Sequence, residues 1–294
     1  MRRVFVTGGT GFIGSHIVER LRQCYDIDLY LLTRQKLVGR DNVHYVQGSM
    51  LDEVMLSSAI AEIKPDILLH LAWDVKSEGY ASSAQNDAWI IWSKRLLEIF
   101  LAHGGKKVVA SGTCFEYDFS NRFPLREDML GTPNTSYGKA KLATQRIYEN
   151  LCRQYGARMV WGRIFYPYGK GEEKRKLLSA FADSLRRNQP FICKTPENRI
   201  DYIHISDIAK IFEFFLLNKD VEGIFNVGTG EACKLKEILV KIASMMGKER
   251  LLEFADGSGI CIIADTRKLS SLYDCSRFVR LDKGLKYLLE VNDS

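Results

Sequence analysis

The 294-residue chain lacks the patterns that mark several common classes of function. Its seven cysteines, at 24, 114, 152, 193, 233, 261 and 275, are scattered, odd in number and without a Cys-x-x-Cys pair. That argues against a disulfide framework or a zinc site. The five histidines are equally dispersed, so no metal constellation is expected. The longest apolar runs, near 66–73 and 211–217, are far too short to cross a bilayer. No internal repeat or low-complexity tract is visible. Basic residues exceed acidic ones by a net charge of +6, but they form no block, and Glu172 and Glu173 interrupt the densest stretch at 170–176. A nucleic-acid surface would need clustered cations together with a reading motif. A diffuse cationic surplus suits an anionic small substrate instead. The N-terminus runs straight into the strand-like Arg3-Val4-Phe5-Val6-Thr7, so no targeting leader is expected. A reduced, cytoplasmic setting is the simplest reading.

What is present is an alternation. Short apolar segments rich in Val, Ile and Leu recur at 3–7, 27–33, 43–47, 66–72, 106–111 and 157–164. They read as strands buried on both faces. Helical patterns lie between them near 12–23, 52–63, 84–103 and 136–155. Such alternation implies right-handed βαβ units and an α/β fold of the Rossmann type, a doubly wound parallel sheet with helices on both faces. After about residue 165 the rhythm loosens. Helices are expected near 174–188, 206–218 and 234–247, with strand-like pieces at 201–203 and 224–227. Residues 1–165, with 201–228 contributing, are taken as a dinucleotide-binding domain. The segments 166–200 and 229–294 are taken as a smaller C-terminal substrate-binding lobe.

The sharpest local motif is Thr7-Gly8-Gly9-Thr10-Gly11-Phe12-Ile13-Gly14, set between the first strand and the first helix. In that context its glycines permit a tight turn, close approach of a pyrophosphate and close helix–sheet packing. The helix N-terminus adds free N–H groups for the anion. NAD-specific sites place a carboxylate at the tip of the second strand, about 20 residues further on. Here the strand ends in Thr33-Arg34, and Arg34 can pair with a 2′-phosphate, which favours NADP(H).

Tyr137 and Lys141 stand one helical turn apart on one face. A cation at that distance favours a phenolate and lowers the Tyr pKa, making it usable as a general acid/base. Thr113 follows the fifth strand, so its hydroxyl sits just past a strand's carboxyl end, where ligands bind in open α/β sheets.

With these residues the chain resembles the extended short-chain dehydrogenase/reductases, in their nucleotide-sugar epimerase/dehydratase branch. The resemblance runs through residues 7–14, His70-Leu71-Ala72, Thr113, Tyr137 and Lys141. It continues through Arg163-Ile164-Phe165-Tyr166-Pro167-Tyr168-Gly169, residues 199–207 and Asn226-Val227-Gly228-Thr229-Gly230. It implies that Thr113, Tyr137 and Lys141 form a catalytic trio and that Lys141 also holds the nicotinamide ribose. Gly8, Thr10, Gly11, Phe12, Ile13, Gly14, Thr33, Arg34, Leu71 and Ala72 would line the cofactor groove. Asp52 would either contact adenine, in place of the family's Asp after Gly48, or cap the next helix. Tyr166 stands where an Asn would touch substrate phosphates and is counted with both cofactor and substrate. Arg199 is the expected diphosphate ligand, with His204 and Asp207 as structural residues. Trp73 replaces a small residue in the groove. The helix at 84–103, apolar on more than one face, would join the Tyr137 helix in a homodimer's four-helix bundle, or simply pack within a monomer.

The residues after Thr113 narrow the chemistry. The 4,6-dehydratases carry an Asp-Glu pair there, whereas this chain has Cys114 and Phe115, with Glu116 off register. Epimerase-reductases carry a Cys two places on and a later His. Phe115 fills that place, and no His occurs between 104 and 203. A reductase needs only hydride from NADPH, a proton from Tyr137 and orientation by Thr113. The expectation is an NADPH-dependent reductase of a dTDP- or CDP-linked 4-keto-6-deoxy sugar. The alternatives are a C4 epimerase with tightly bound NAD and a non-catalytic NADP(H) sensor.

Overall fold

The computed structural model describes residues 1–75, 78–120, 123–129 and 133–290. The last four residues of the expected C-terminal lobe, 291–294, lie outside the described residues. In chain order the elements begin with β1 (Arg2–Thr7), α1 (Phe12–Leu21), β2 (Ile27–Thr33), β3 (Val43–Gln47), α2 (Glu53–Ile63) and β4 (Ile67–His70). There follow α3 (Gln85–Ala102), β5 (Lys107–Thr113), α4 (Ser136–Tyr155), β6 (Arg158–Ile164), β7 (Tyr166–Tyr168) and α5 (Leu177–Arg186). Next come β8 (Phe191–Cys193), β9 (Arg199–Ile200), β10 (Tyr202–His204), α6 (Ile205–Leu217), β11 (Gly223–Val227) and β12 (Cys233–Lys234). The chain closes with α7 (Leu235–Met245), β13 (Leu252–Phe254), β14 (Cys261–Ile262), α8 (Arg267–Ser270) and α9 (Leu281–Glu290).

The central sheet has seven strands in the order β11-β6-β5-β4-β1-β2-β3. The registers from β3 through β2, β1 and β4 to β5 are all parallel. The order reverses between β1 and β4, which is the switch point where doubly wound sheets bind ligands. Every residue of β4 and of β5 is buried, as strands covered on both faces require. Two strand ends differ from the sequence expectation. β4 stops at His70, leaving Leu71 and Ala72 in the loop beyond, and β5 runs on to Thr113, so that Thr113 is the strand's last residue rather than just past its end. The extension follows from Gly112: without a side chain it lets the strand pass Trp161, where a Cβ would collide with the indole nitrogen.

By compactness the chain divides into two units. The first comprises Met1–Asp118, Leu130–Arg163 and Ala209–Phe225, and the second Phe119–Met129, Ile164–Ile208 and Asn226–Ser294. The first unit's core gathers Phe5, Leu68, Leu97, Phe100, Val108 and Trp161 from strands and helices that are distant in sequence. α4 is started by Thr135, whose side chain accepts the Gly138 N–H at 3.0 Å, and is ended by Gly156 in the left-handed conformation. The second unit has its own core of Phe181, Leu185, Leu239, Ile242 and Leu285. Three small sheets accompany it: β10-β7, β12-β9-β14 and β13-β8. The strand expected at 201–203 is found as β10, one residue further on, with β9 ending just before Asp201. No helix among the described residues is long and apolar enough to cross a membrane.

Candidate active site

The glycine motif forms a cradle at the switch point. Gly8 has φ of 74°, and a Cβ there would lie 2.6 Å from the backbone nitrogen of Ala72. The expected groove residues Leu71 and Ala72 are therefore packed directly against the turn. A Cβ at Gly14 would collide with the Gly8 carbonyl, so that position also admits only glycine. Gly11 is the N-cap of α1 and offers no side-chain cap, and no acidic residue stands in the first turn. The N–H groups around Phe12 and Ile13 are thus left for an external anion. Thr10 is exposed. These features fit the pyrophosphate of a dinucleotide. At the tip of β2 the Thr33 hydroxyl accepts the Gln35 N–H at 3.2 Å. Arg34 projects beyond it, exposed and without a hydrogen bond or ion pair to a described residue. Asp52 takes the capping alternative: it is the N-cap of α2 and accepts the Met55 N–H at 2.9 Å.

α4 turns one stripe inward, with Tyr137, Lys141, Thr144, Tyr148 and Cys152 all buried. Their spacing of three and four residues is that of a helix face, so burial and the Tyr137–Lys141 pairing come from one pattern. Tyr137 shares a side-chain hydrogen bond with Thr113. Lys141 Nζ donates to the carbonyl of Ser111 at 2.9 Å and lies 4.1 Å from the centroid of the Trp73 ring. Thr113, Tyr137 and Lys141 are therefore brought together by the end of β5 and the start of α4. The rings nearest Tyr137 are those of Trp73, Tyr80 and Phe115, at 6.1, 5.3 and 6.2 Å between centroids.

The electrostatics depart from expectation in sign. The Tyr137 pKa is raised, not lowered: burial dominates, Tyr80 adds to it, and the Thr113 hydrogen bond opposes it only in part. Lys141 is itself pushed down to about 7 by burial, with Glu116 pulling it back up. Its ammonium hydrogen-bonds a backbone carbonyl and faces an indole in a dry environment, where loss of hydration outweighs the pairing that spacing alone suggested. Beneath the pair, His70 is held between the Thr7 hydroxyl at 2.7 Å and the Ser93 hydroxyl at 3.1 Å. Burial, assisted by Lys141, pushes its pKa down to about 3, so it is neutral.

One residue at the site escaped the sequence reading. Glu116, off register for a dehydratase acid, is 1% exposed and accepts from three sides. The Thr113 N–H donates to Oε1 at 2.8 Å, the Trp161 indole N–H lies 3.0 and 3.2 Å from the two oxygens, and Arg163 Nε donates to Oε2 at 2.7 Å. The signal was present as Thr113-x-x-Glu116, which is the capping-box spacing, and a capping box does form there.

The remaining predicted residues lie in the second unit. Tyr166, on β7, packs edge-on against Tyr202 at 5.7 Å. Arg199, on β9, is exposed and donates to the carbonyl of Ala232 at 3.3 Å. The two stand on separate sheets. His204 Nδ1 lies 2.7 Å from the Ser206 hydroxyl, and fully buried Asp207 accepts the Val279 N–H at 2.7 Å. Asp201 is also fully buried. It accepts from the Thr229 N–H and hydroxyl through Oδ1, and from the Gly230 and Ala264 N–H groups through Oδ2. It thereby pins the turn that follows β11 at Thr229 and Gly230. Among the described residues no group of three or more His, Cys, Asp or Glu side chains could hold a metal ion.

A switch-point glycine cradle together with a buried Thr–Tyr–Lys cluster defines a nicotinamide-dinucleotide enzyme of the short-chain dehydrogenase/reductase kind. Residues 4–228 match the NAD dependent epimerase/dehydratase family, and the chain belongs to it. The chain is 24% identical to dTDP-4-dehydro-6-deoxyglucose reductase of Escherichia coli, over 98% of this chain and 96% of that one. It is 26% identical to UDP-glucose 4-epimerase of Azospirillum brasilense, over 86% and 80%. Among solved structures, UDP-glucose 4-epimerase of Thermotoga maritima with UDP-glucose superposes with a TM-score of 0.86, covering 99% of this chain and 98% of that chain at 24% identity, and so shares the fold.

Proposed function

We propose that this enzyme is an NADPH-dependent reductase of a nucleotide-linked 4-keto-6-deoxy sugar, dTDP- or CDP-linked. The observation that carries the reading is the setting of Tyr137. Its hydroxyl is hydrogen-bonded to Thr113 and its ring is walled by Trp73, Tyr80 and Phe115. The carboxylate of Glu116 is occupied by Thr113, Trp161 and Arg163. A protonated phenol beside the Thr113 hydroxyl suits addition of a hydride and a proton to a ketone. Dehydration would call for a second acid/base. Likeness over nearly the full length to the E. coli dTDP-4-dehydro-6-deoxyglucose reductase points the same way.

The bound dinucleotide would supply the hydride to C4. The chain's own residues would do the rest. Thr113 orients the carbonyl oxygen by hydrogen bonding, and Tyr137 gives its proton to that oxygen, so the C=O becomes CH–OH. Burial keeps Tyr137 protonated, the form that a proton donor needs. Lys141 offers a positive charge one turn away from the phenolate left behind. Gly8, Gly11 and Gly14 would seat the pyrophosphate, with Thr10, Phe12, Ile13, Leu71 and Ala72 around it. Arg34 and Thr33 would take the 2′-phosphate end of NADPH. Tyr166 and Arg199 would bind the nucleoside diphosphate of the substrate. We also infer a homodimer through α3 and α4, in keeping with Ile91 of α3 standing 60% exposed.

A C4 epimerase with tightly held NAD is the second reading, favoured by the 26% likeness to UDP-glucose 4-epimerase. Absorbance of NADPH or NADH separates the two in the presence of dTDP- or CDP-linked 4-keto-6-deoxyglucose. Substrate-dependent oxidation that prefers NADPH is the expected result. No oxidation, with NAD released from the denatured protein, would replace the reductase with the epimerase.

A further inference from the structure

The Thr113–Tyr137–Lys141 cluster rests on a second layer that the proposed chemistry does not use. Glu116 lies in the 3₁₀ turn directly after β5, and its carboxylate is almost wholly buried. A bare carboxylate there would be costly, and this one is compensated on both oxygens. Arg163, 4% exposed and 47 residues away in sequence, donates its Nε at 2.7 Å. Trp161 donates its indole N–H, and the Thr113 backbone N–H completes the set at 2.8 Å. Arg163 is in turn stacked over the Tyr117 ring, 4.6 Å from its centroid. Gly112 leaves room for this arrangement, since a Cβ there would meet both the Trp161 nitrogen and the Glu116 carboxylate. The other edge of the layer reaches Lys141, whose Nζ is 5.9 Å from the Trp161 ring centroid. Trp161 therefore neighbours both the negative charge of Glu116 and the ammonium of Lys141.

We propose that Glu116, clamped by Arg163 and Trp161, is a positioning residue that fixes Thr113 beside Tyr137 and supplies the negative charge that keeps Lys141 cationic. It acts through the Thr113 backbone and the field at Lys141, and it touches no reacting atom. Among the described residues, the ionisable groups that act on Lys141 or are acted on by it include Glu116 and His70, with Tyr137 one turn away, and those acting on Tyr137 include Tyr80, Glu116 and Cys114. Arg163 faces Glu116, with Tyr117 bonded to it from the far side. His70 is neutral, and Glu116 carries a charge of the sign that stabilises the ammonium.

Only the kinetic arm of the test rests on the ketoreductase reading, so the first measurement is made on the cofactor-free protein. Nitrogen-15 NMR follows the Lys141 side-chain titration and the exchange of the Thr113 amide in wild type and in Glu116→Gln. The amide side chain keeps an acceptor for the Thr113 N–H and removes the charge. The expected result is a Lys141 midpoint lowered by roughly one pH unit, with the Thr113 amide still protected. Glu116→Ala should also expose the Thr113 amide to exchange. Because both variants take away the carboxylate that Arg163 donates to, Glu116→Gln/Arg163→Met, which removes both charges, carries the test if the single changes do not fold.

In the kinetic arm, Glu116→Ala should lower kcat roughly 100-fold, as misplacement of an orienting group does, with NADPH affinity unchanged. Glu116→Asp, which restores the charge, should recover part of the pH profile lost in Glu116→Gln. An unshifted Lys141 titration together with an unchanged Thr113 amide in a folded Glu116 variant would overturn the proposal, whatever the substrate. Wild-type protein that oxidises no NADPH, but shows the expected NMR changes, would sink the ketoreductase reading and leave the positioning role standing.

Discussion

Each unit of the molecule holds a deeply buried carboxylate at a conspicuous place, Glu116 in the first and Asp201 in the second, and the two are compensated differently. In the first unit Glu116 is met by a cation, Arg163, and by two N–H groups. In the second, Asp201 is met by three backbone N–H groups and one hydroxyl, with no cation among these partners. A cation leaves a net field of paired charges that reaches its neighbours, here Lys141 and Tyr137. Dipoles alone hold a charge in place and in return order the backbone that supplies them, here the turn at Thr229 and Gly230. The first arrangement sits beneath the residues with chemical potential, and the second secures a turn.

Predictions that sharpen or break this contrast can be ranked. The largest effect is expected at the phenol above the Glu116 pair. Tyr137→Phe should bind NADPH as wild type does and lose about 100- to 10,000-fold in turnover, the contribution of a general acid. Retained turnover in the absorbance assay would remove Tyr137 from the chemistry.

The next largest effect separates the two carboxylates by stability. Arg163→Met leaves Glu116 buried without its cation and should cost about 3–5 kcal/mol in urea unfolding. Asp201→Asn is expected to be milder, about 1–3 kcal/mol, because one amide nitrogen would then face two N–H donors. Equal losses would mean that the cation adds nothing beyond its hydrogen bond.

His70 provides a pH test within the first unit. Its pKa is about 3 in the folded protein against an ordinary value of 6.5. Between these values the unfolded chain binds a proton that the folded one refuses. Stability should therefore be fully present above pH 6.5 and fall on acidification toward pH 3, by at most about 1.4 kcal/mol per pH unit. His70→Gln should flatten that slope between pH 5 and 6.5 in urea titrations at several pH values. An unchanged slope would place the acid sensitivity elsewhere.

The smallest effect is at the exposed end of the cradle. Arg34→Ala should weaken NADPH by roughly 1.5 kcal/mol, the scale of a solvent-exposed charge-assisted contact, and leave NADH unaffected. Equal weakening of both cofactors would dissociate Arg34 from the 2′-phosphate.

How much was legible beforehand differs between the same regions. The parallel sheet, the glycine cradle and the Tyr137–Lys141 face follow from local spacing, and the structure contains all three. Thr113 was found by its place after a strand, although β5 reaches two residues further than its apolar run. The second unit was harder to read because its sheets are two or three short strands each, and pieces of two or three residues carry little periodicity. Asp201 looked like an ordinary member of a motif, since its four donors come from positions 28 to 63 residues away.

By itself the sequence determined what depends on neighbours along the chain: which segments are strands or helices, where glycine alone can turn, and that Tyr137 and Lys141 share a helix face. Only the tertiary structure decided which groups share a dry environment. It joined Glu116 to Arg163 across 47 residues, laid Trp73 over Lys141, and reversed the expected shift of Tyr137. Spacing is a property of the local backbone, whereas loss of hydration is a sum over every atom packed around a group.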